Sequence, residues 1–271
     1  SHEHPDHFSI PFYKKYFFVL KNNKIEIFFQ KTKDKRVVGF LKSLGLSVIE
    51  LSDGDEYEID KDFTIITQRS DFYDSALVIK IKDKKIFNLN DCPMSEAKDI
   101  LEFKKKYGKC DYLFSQFSYA AWKGGEKNLK WRRQAADEKI KTIINQSNIL
   151  EAKYTLPFAS FVYFSNNYNF YLNDSMNSPK KILDETKNQI SKYIFLKPYE
   201  KIYLSNPEFK NDGATFWNEE FKNIFLKKRE LKKYSFDELN NFYIKYVKRM
   251  FEKNSYILCK ILSIFKFLKI F

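Results

Sequence analysis

Histidine is nearly missing from this 271-residue chain: there are three, and none follows His7. Any chemistry that draws an imidazole from the body of a fold is therefore confined to the amino terminus. Cysteine is scarce as well. Cys92, Cys110 and Cys259 are too few and too far apart for a disulfide framework, which fits a reducing compartment and a cytoplasmic protein. No apolar run has the length and purity of a membrane span, because Lys260, Lys266 and Lys269 interrupt the tail from Tyr256 to Phe271. In that tail Ile257, Ile261, Ile264, Phe265 and Leu268 recur at helical spacing, a stripe expected to pack on protein rather than lie on a membrane. Arginine is sparse too, so that almost all of the positive charge behind the formal +13 is scattered lysine. Base and phosphate readout in nucleic acids favours guanidinium forks, so an anionic small molecule is the expected partner and nucleic acid is not. There is no visible secretory signal and no internal repeat.

What is present is a globular composition, 44% hydrophobic and 18% aromatic, enough for one large core or two modest ones. All three histidines fall within Ser1–Phe8, in the pattern H-x-H-x-D-H formed by His2, His4, Asp6 and His7. In an extended segment His2 and His4 point to one side, and a turn after them swings Asp6 and His7 toward a second position. Three neutral imidazoles and a carboxylate in six residues are a metal-binding loop, suited to two adjacent cations.

This loop resembles that of the metallo-β-lactamase superfamily. The run from Lys84 to Cys92 resembles the strand carrying the bridging aspartate of that superfamily, which puts that role on Asp91. Its Asn-x-x-Asp-Cys ending, with Asp74–Ile79 before it and Pro157-Phe158-Ala159 after it, looks like the metallo-β-lactamase-like part of CMP-N-acetylneuraminate hydroxylase and its bacterial relatives. The resemblance implies an α/β fold, the αββα sandwich of the metallo-β-lactamase type. It covers roughly the first 200 residues. Because the motif stands at the start of the chain, the amino-terminal strands of the sandwich are expected to be missing. Residues 1–205 read as this domain and residues 206–271 as a helical, lysine- and aromatic-rich appendage.

The resemblance implies Zn or Fe, one or two ions, with His2 and His4 on one, Asp6 and His7 on the other, and Asp91 shared. Two later histidines belong to the pattern and are absent. Alignment on the Asp-Cys pair puts Ser70 near the first, and alignment on Pro157-Phe158-Ala159 puts Asn166 near the second; Asp71 and Asp74 offer oxygen as replacements. Asp74 also reads as a turn residue opening a strand, and Cys92 as a packed thiol. Three protein ligands with open positions suffice for a catalytic centre, with Asp6 positioning a water. The expected activity is hydrolysis of an anionic sugar or nucleotide-sugar. The alternatives are an iron-dependent oxygenase similar to the hydroxylase, which needs an electron-transfer partner, and a degenerate subunit that binds without turnover.

Periodicity predicts βα alternation up to Leu51, a meander through Asn90, helices from Ser95 to Tyr107 and from Leu129 to Asn148, a strand at Phe161–Phe164, and a helix from Pro179 to Tyr193. Ser115-Gln116-Phe117-Ser118 reads as a polar loop at a strand end, where sites of layered α/β folds lie.

Overall fold

The computed structural model describes residues 7–70, 74–90, 92, 94–205, 207, 212–224 and 232–264. His2, His4, Asp6, Asp71 and Asp91 lie outside the described residues, as do Phe265 and Leu268.

Helix α1 (Ile10–Asn22) starts at Ser9, whose hydroxyl accepts from the Phe12 N–H at 3.3 Å, with Pro11 in the first turn, where its missing N–H is harmless. Strand β1 (Glu26–Gln30), helix α2 (Arg36–Ser43) and strand β2 (Ser47–Leu51) then form a βαβ unit with the two strands parallel. Alternation divides β1 between two neighbours. Phe29 is buried with Val37, Val38 and Leu41 of α2, while the Phe28 ring lies 5.2 Å from that of Tyr57 in the second sheet. This small sheet is therefore covered by helix on one side and by sheet on the other.

The second sheet has seven strands in sequence order. β3 (Glu56–Asp60), β4 (Phe63–Arg69), β5 (Ser75–Ile81) and β6 (Lys84–Asn88) form an antiparallel meander. β7 (Tyr112–Ser115), β8 (Tyr154–Pro157) and β9 (Lys192–Tyr193) continue it in parallel. They are reached through the helices α3 (Ala97–Tyr107), α4 (Leu129–Ile149) and α5 (Pro179–Thr186), as parallel crossovers require. Ile66, Val78, Phe87 and Leu113 of the sheet pack on Ile100, Phe103 and Tyr107 of α3. Ile140 and Ile143 of α4 pack on Ile182 of α5, on Phe195, and on Ala214 of α6 (Asp212–Lys222). Phe87 is wholly buried, so its truncation to alanine costs about 3–5 kcal/mol. α6 meets the chain backbone to backbone: a Cβ on Gly213 would sit 2.0 Å from the Phe195 carbonyl oxygen.

Contacts divide the chain into Ser1–Lys228 and Arg229–Phe271. The second unit holds α7 (Phe236–Lys253), opened by a capping box between Ser235 and Glu238, and α8 (Tyr256–Ile264). No described helix is long and apolar enough to cross a membrane.

Two expected elements differ. The strand predicted at Phe161–Phe164 is not one; the sheet takes Tyr154–Pro157 instead. Thr155 at its centre is fully buried with its hydroxyl 2.6 Å from that of Ser191, a polar pair that interrupts the apolar signature of an inner strand. Phe161 leaves the sheet and stacks on Trp217, centroids 4.0 Å apart. The helix from Pro179 ends at Thr186, and Lys192–Tyr193 becomes β9, its Tyr193 hydroxyl 2.8 Å from that of Ser147 on α4.

Candidate functional site

The switch from antiparallel to parallel pairing at β6 gathers many chain ends at one end of the sheet. Register sets Arg69 beside Ser75, Leu77 beside Asn88, Asn88 beside Phe114 and Ser115 beside Pro157. The carboxyl ends of β4, β6, β7 and β8 and the amino end of β5 thus share one edge, the position where open α/β sheets hold ligands.

A cleft of about 830 Å³ opens there, walled by these strand ends and by one face of α4. Along α4 the wall is formed by Ala135, Glu138, Lys139, Thr142 and Gln146, a helical stripe. Asp74, Lys123 and Lys139 are the half-buried charges of the cleft, whereas Glu96, Glu138 and Lys141 are exposed. Among the described residues its inner part therefore carries two ammonium groups and one carboxylate.

Lys139 is held in place. Its Nζ donates to Gln116 Oε1 at 2.6 Å, and Gln116 Nε2 donates to Asn90 Oδ1 at 3.0 Å, which fixes the orientation of the Gln116 amide. The loop after β7 is pinned from behind: Ser160 Oγ accepts from the Phe117 and Ser118 N–H groups at 3.1 and 3.2 Å. The fully buried Asn177 donates to the carbonyls of Phe117 and Ala136. Deeper, the Ser115 hydroxyl donates to Gln146 Oε1 at 2.6 Å, and Gln146 Nε2 donates to the Met94 carbonyl at 2.8 Å. Tyr119 is a wall rather than a base: burial pushes its phenol up to about 12, and the neutral hydroxyl donates to the Leu172 carbonyl.

Ser70, Asp74 and Cys92 meet at the strand ends. The Ser70 N–H donates to the Asp74 carbonyl at 2.9 Å, and Asp74 and Cys92 both line the cleft. Burial pushes the Cys92 thiol up; the Ser70 hydroxyl against it offsets part of that rise, and the Asp74 carboxylate adds to it. The Ser70 hydroxyl is buried with no nitrogen or oxygen partner among the described residues. Cys92 belongs to the core cluster with Phe87 and Ile100, and also borders a second cavity of about 490 Å³ shared with Ser70, Arg69 and Tyr107.

Of the remaining residues singled out from the sequence, His7 is half-buried and precedes Phe8, which packs into the cluster around α2. Asn166 caps a turn, its Oδ1 accepting from the Tyr168 N–H at 2.9 Å, and it borders neither cavity. His2, His4, Asp6 and Asp91 lie outside the described residues. The polar loop singled out after β7 does reach the cleft, through Ser115 and Gln116, but sequence reasoning missed Lys139 and Lys123. The available signal was the α4 stripe, which puts Lys139 one turn from Ala135 on the face turned to the strand ends.

No family model matches the sequence, and neither does any curated protein. Among solved structures the chain is similar to a mutant of the CmlA β-hydroxylase, with a TM-score of 0.51 and 11% identity over 73% of this chain and 42% of that one. It is also similar to CmlA described as a diiron β-hydroxylase from Streptomyces venezuelae, with a TM-score of 0.46, 11% identity, and 71% and 42% of the two chains covered. A third is the metallo-β-lactamase fold protein YhfI from Bacillus subtilis, with a TM-score of 0.43, 13% identity, and 71% of each chain covered. The fold is of the metallo-β-lactamase type. The chain spans less than half the length of CmlA.

On this metallo-β-lactamase-type scaffold the strand-end donors are one carboxylate, one thiol and one buried hydroxyl. Among the described residues no three His, Cys, Asp or Glu side chains gather as a metal cluster. The oxygens at this edge suit a hard or borderline cation as part of a ligand set, whereas the Cys92 thiol, packed in the core and kept protonated by burial, does not.

Proposed function

We propose that this chain is a metal-dependent enzyme, a hydrolase acting on an anionic sugar or nucleotide-sugar. One observation carries the reading: a half-buried lysine, fixed by the Asn90–Gln116 relay, faces the same cleft as the Asp74 carboxylate. The ion is Zn or Fe, one or two, held by His2, His4, Asp6, His7 and Asp91 with oxygen from Ser70 or Asp74. When bound, such an ion supplies a Lewis acid that brings the pKa of a water near neutrality. In this reading Asp6 orients that water, and Lys139 and Lys123 bind the substrate's anionic group and hold it beside the strand ends. The Ser115–Gln146–Met94 bonds keep the wall rigid, so that the lysine's position, rather than its charge alone, selects the bound pose.

A second reading has one observation in its favour, the likeness to the CmlA β-hydroxylase. In it the chain is an iron-dependent oxygenase, similar to CMP-N-acetylneuraminate hydroxylase, that receives electrons from a partner.

Elemental analysis of purified protein and of His4→Ala tests both. At least one equivalent of metal in the parent and its loss in the variant is the expected result. Zinc favours the hydrolase and iron the oxygenase. Absence of metal from both samples overturns them and leaves a subunit that binds without turnover.

A further inference from the structure

Two of the three tryptophans, Trp122 and Trp131, stand exposed together, each close in sequence to a residue that lines the cleft. Trp122 is 62% exposed and Trp131 is 44% exposed, their rings edge to face with centroids 5.5 Å apart. Both adjoin the cleft. Lys123, next to Trp122 in sequence, lines it, and so does Ala135, one turn along α4 from Trp131. Trp131, Ala135 and Lys139 follow one another at i, i+4 and i+8 on one helical face, in the order aromatic, small, cation. Trp131 and Lys139 are about 12 Å apart along the axis, with the Lys139 ammonium held at Gln116 Oε1.

The loop joining the two indoles is held with unusual firmness. Arg132 is 1% exposed, and its guanidinium donates to both Asp174 carboxylate oxygens, to the Gly125 carbonyl at 2.7 Å and to the Glu126 carbonyl at 2.9 Å. The Tyr171 hydroxyl donates to the Gly124 carbonyl at 3.0 Å. Gly124 has φ +83°, and a Cβ there would lie 2.9 Å from the Trp131 ring, so the indole rests directly on the loop backbone. A rigid pair of solvated rings beside half-buried ammonium groups is matched by a ligand with a flat ring at one end and an anion at the other.

We propose that Trp122, with Trp131 edge-on against it as its support, stacks the base of a nucleotide whose phosphate rests on Lys123 and Lys139, the sugar lying over Ala135. This rests on the reading of the cleft as an anionic-substrate site and narrows the substrate to the nucleotide-bearing class. Stacking needs only a π face, so the platform accepts purine and pyrimidine alike and selects nucleotides over base-free sugar phosphates.

Tryptophan fluorescence of the full chain in EDTA reads the platform without the metal. Trp217, half-buried with its indole N–H on the Leu196 carbonyl, serves as the steady background. CMP and AMP are expected to quench saturably, while ribose 5-phosphate and inorganic phosphate leave the indoles unchanged. Trp122→Ala is expected to weaken binding about tenfold or more, and Trp122→Phe to keep most of it; both rings are at the surface, and matching circular-dichroism melts report an intact fold. Lys139→Gln should weaken CMP more than cytidine. No quenching by any nucleotide, equal response to ribose 5-phosphate, or full affinity in a folded Trp122→Ala overturns the proposal. Metal retained without nucleotide binding sinks the platform and spares the metalloenzyme; nucleotide binding by a protein that never holds metal does the reverse.

Discussion

Two cations on α4, seven residues apart, have opposite fates. Arg132 is sealed in the protein with every direction of its guanidinium occupied by Asp174, by two loop carbonyls and by the Tyr171 ring 5.0 Å away. Lys139 is half-buried, holds the Gln116 amide oxygen, and faces an open cleft. Both count equally in the net charge; burial and partners decide which one builds the fold and which one meets a ligand. A planar fork suits the first task, since it satisfies several acceptors at once, and a compact ammonium suits the second.

The contrast breaks most visibly at Arg132. Arg132→Ala leaves the Gly125 and Glu126 carbonyls and the Asp174 carboxylate without their donor, and a loss of about 3–5 kcal/mol in urea unfolding is expected. Arg132→Lys should recover only part of it, because one ammonium cannot span the same acceptors. Next in size is the acid arm. Burial alone would push Asp174 up, but its hydrogen bonds to Arg132 prevail and hold it below its ordinary value of 3.8. A folded-state value below the unfolded one stabilises fully above pH 3.8 and is lost as the pH falls through the folded value. The stability gap between the parent and Asp174→Asn, roughly 1–2 kcal/mol at neutral pH because solvent reaches part of the carboxylate, should therefore close in acid. Gly124→Ala, strained by its positive φ and by contact with Asn128, should lose about 1–2 kcal/mol and shift the Trp131 emission. The smallest effect on stability belongs to Lys139→Gln, within about 0.5 kcal/mol, although it should lower turnover of an anionic substrate. A Lys139 variant that unfolded as readily as Arg132→Ala would erase the distinction.

The meander and the long helix were legible because their patterns are local: β4 to β6 are short β-branched and apolar runs broken by turns, with β5 alternating, and α4 repeats over five turns. β8 and β9 were not, since Thr155, Ser191, Tyr193 and Ser147 bury polar groups in pairs whose members lie far apart in the sequence. The apolar run Phe161–Phe164 misled for the converse reason; its aromatic content serves a contact with Trp217 on α6. At the site, spacing alone marked the His–Asp loop, and composition marked a preference for anions. The tether from Lys139 through Gln116 to Asn90 spans three separate elements, and no window of sequence contains it. Arg132 carried no sign of burial either, because two of its acceptors are main-chain oxygens, which every sequence has, and the carboxylate is 42 residues away.

Cys92 borders both hollows at the strand ends, the larger beside α4 and the smaller beside α3. Among the described residues it is thus the lining position that the two hollows have in common, and any adduct on its sulfur would crowd both rooms at once.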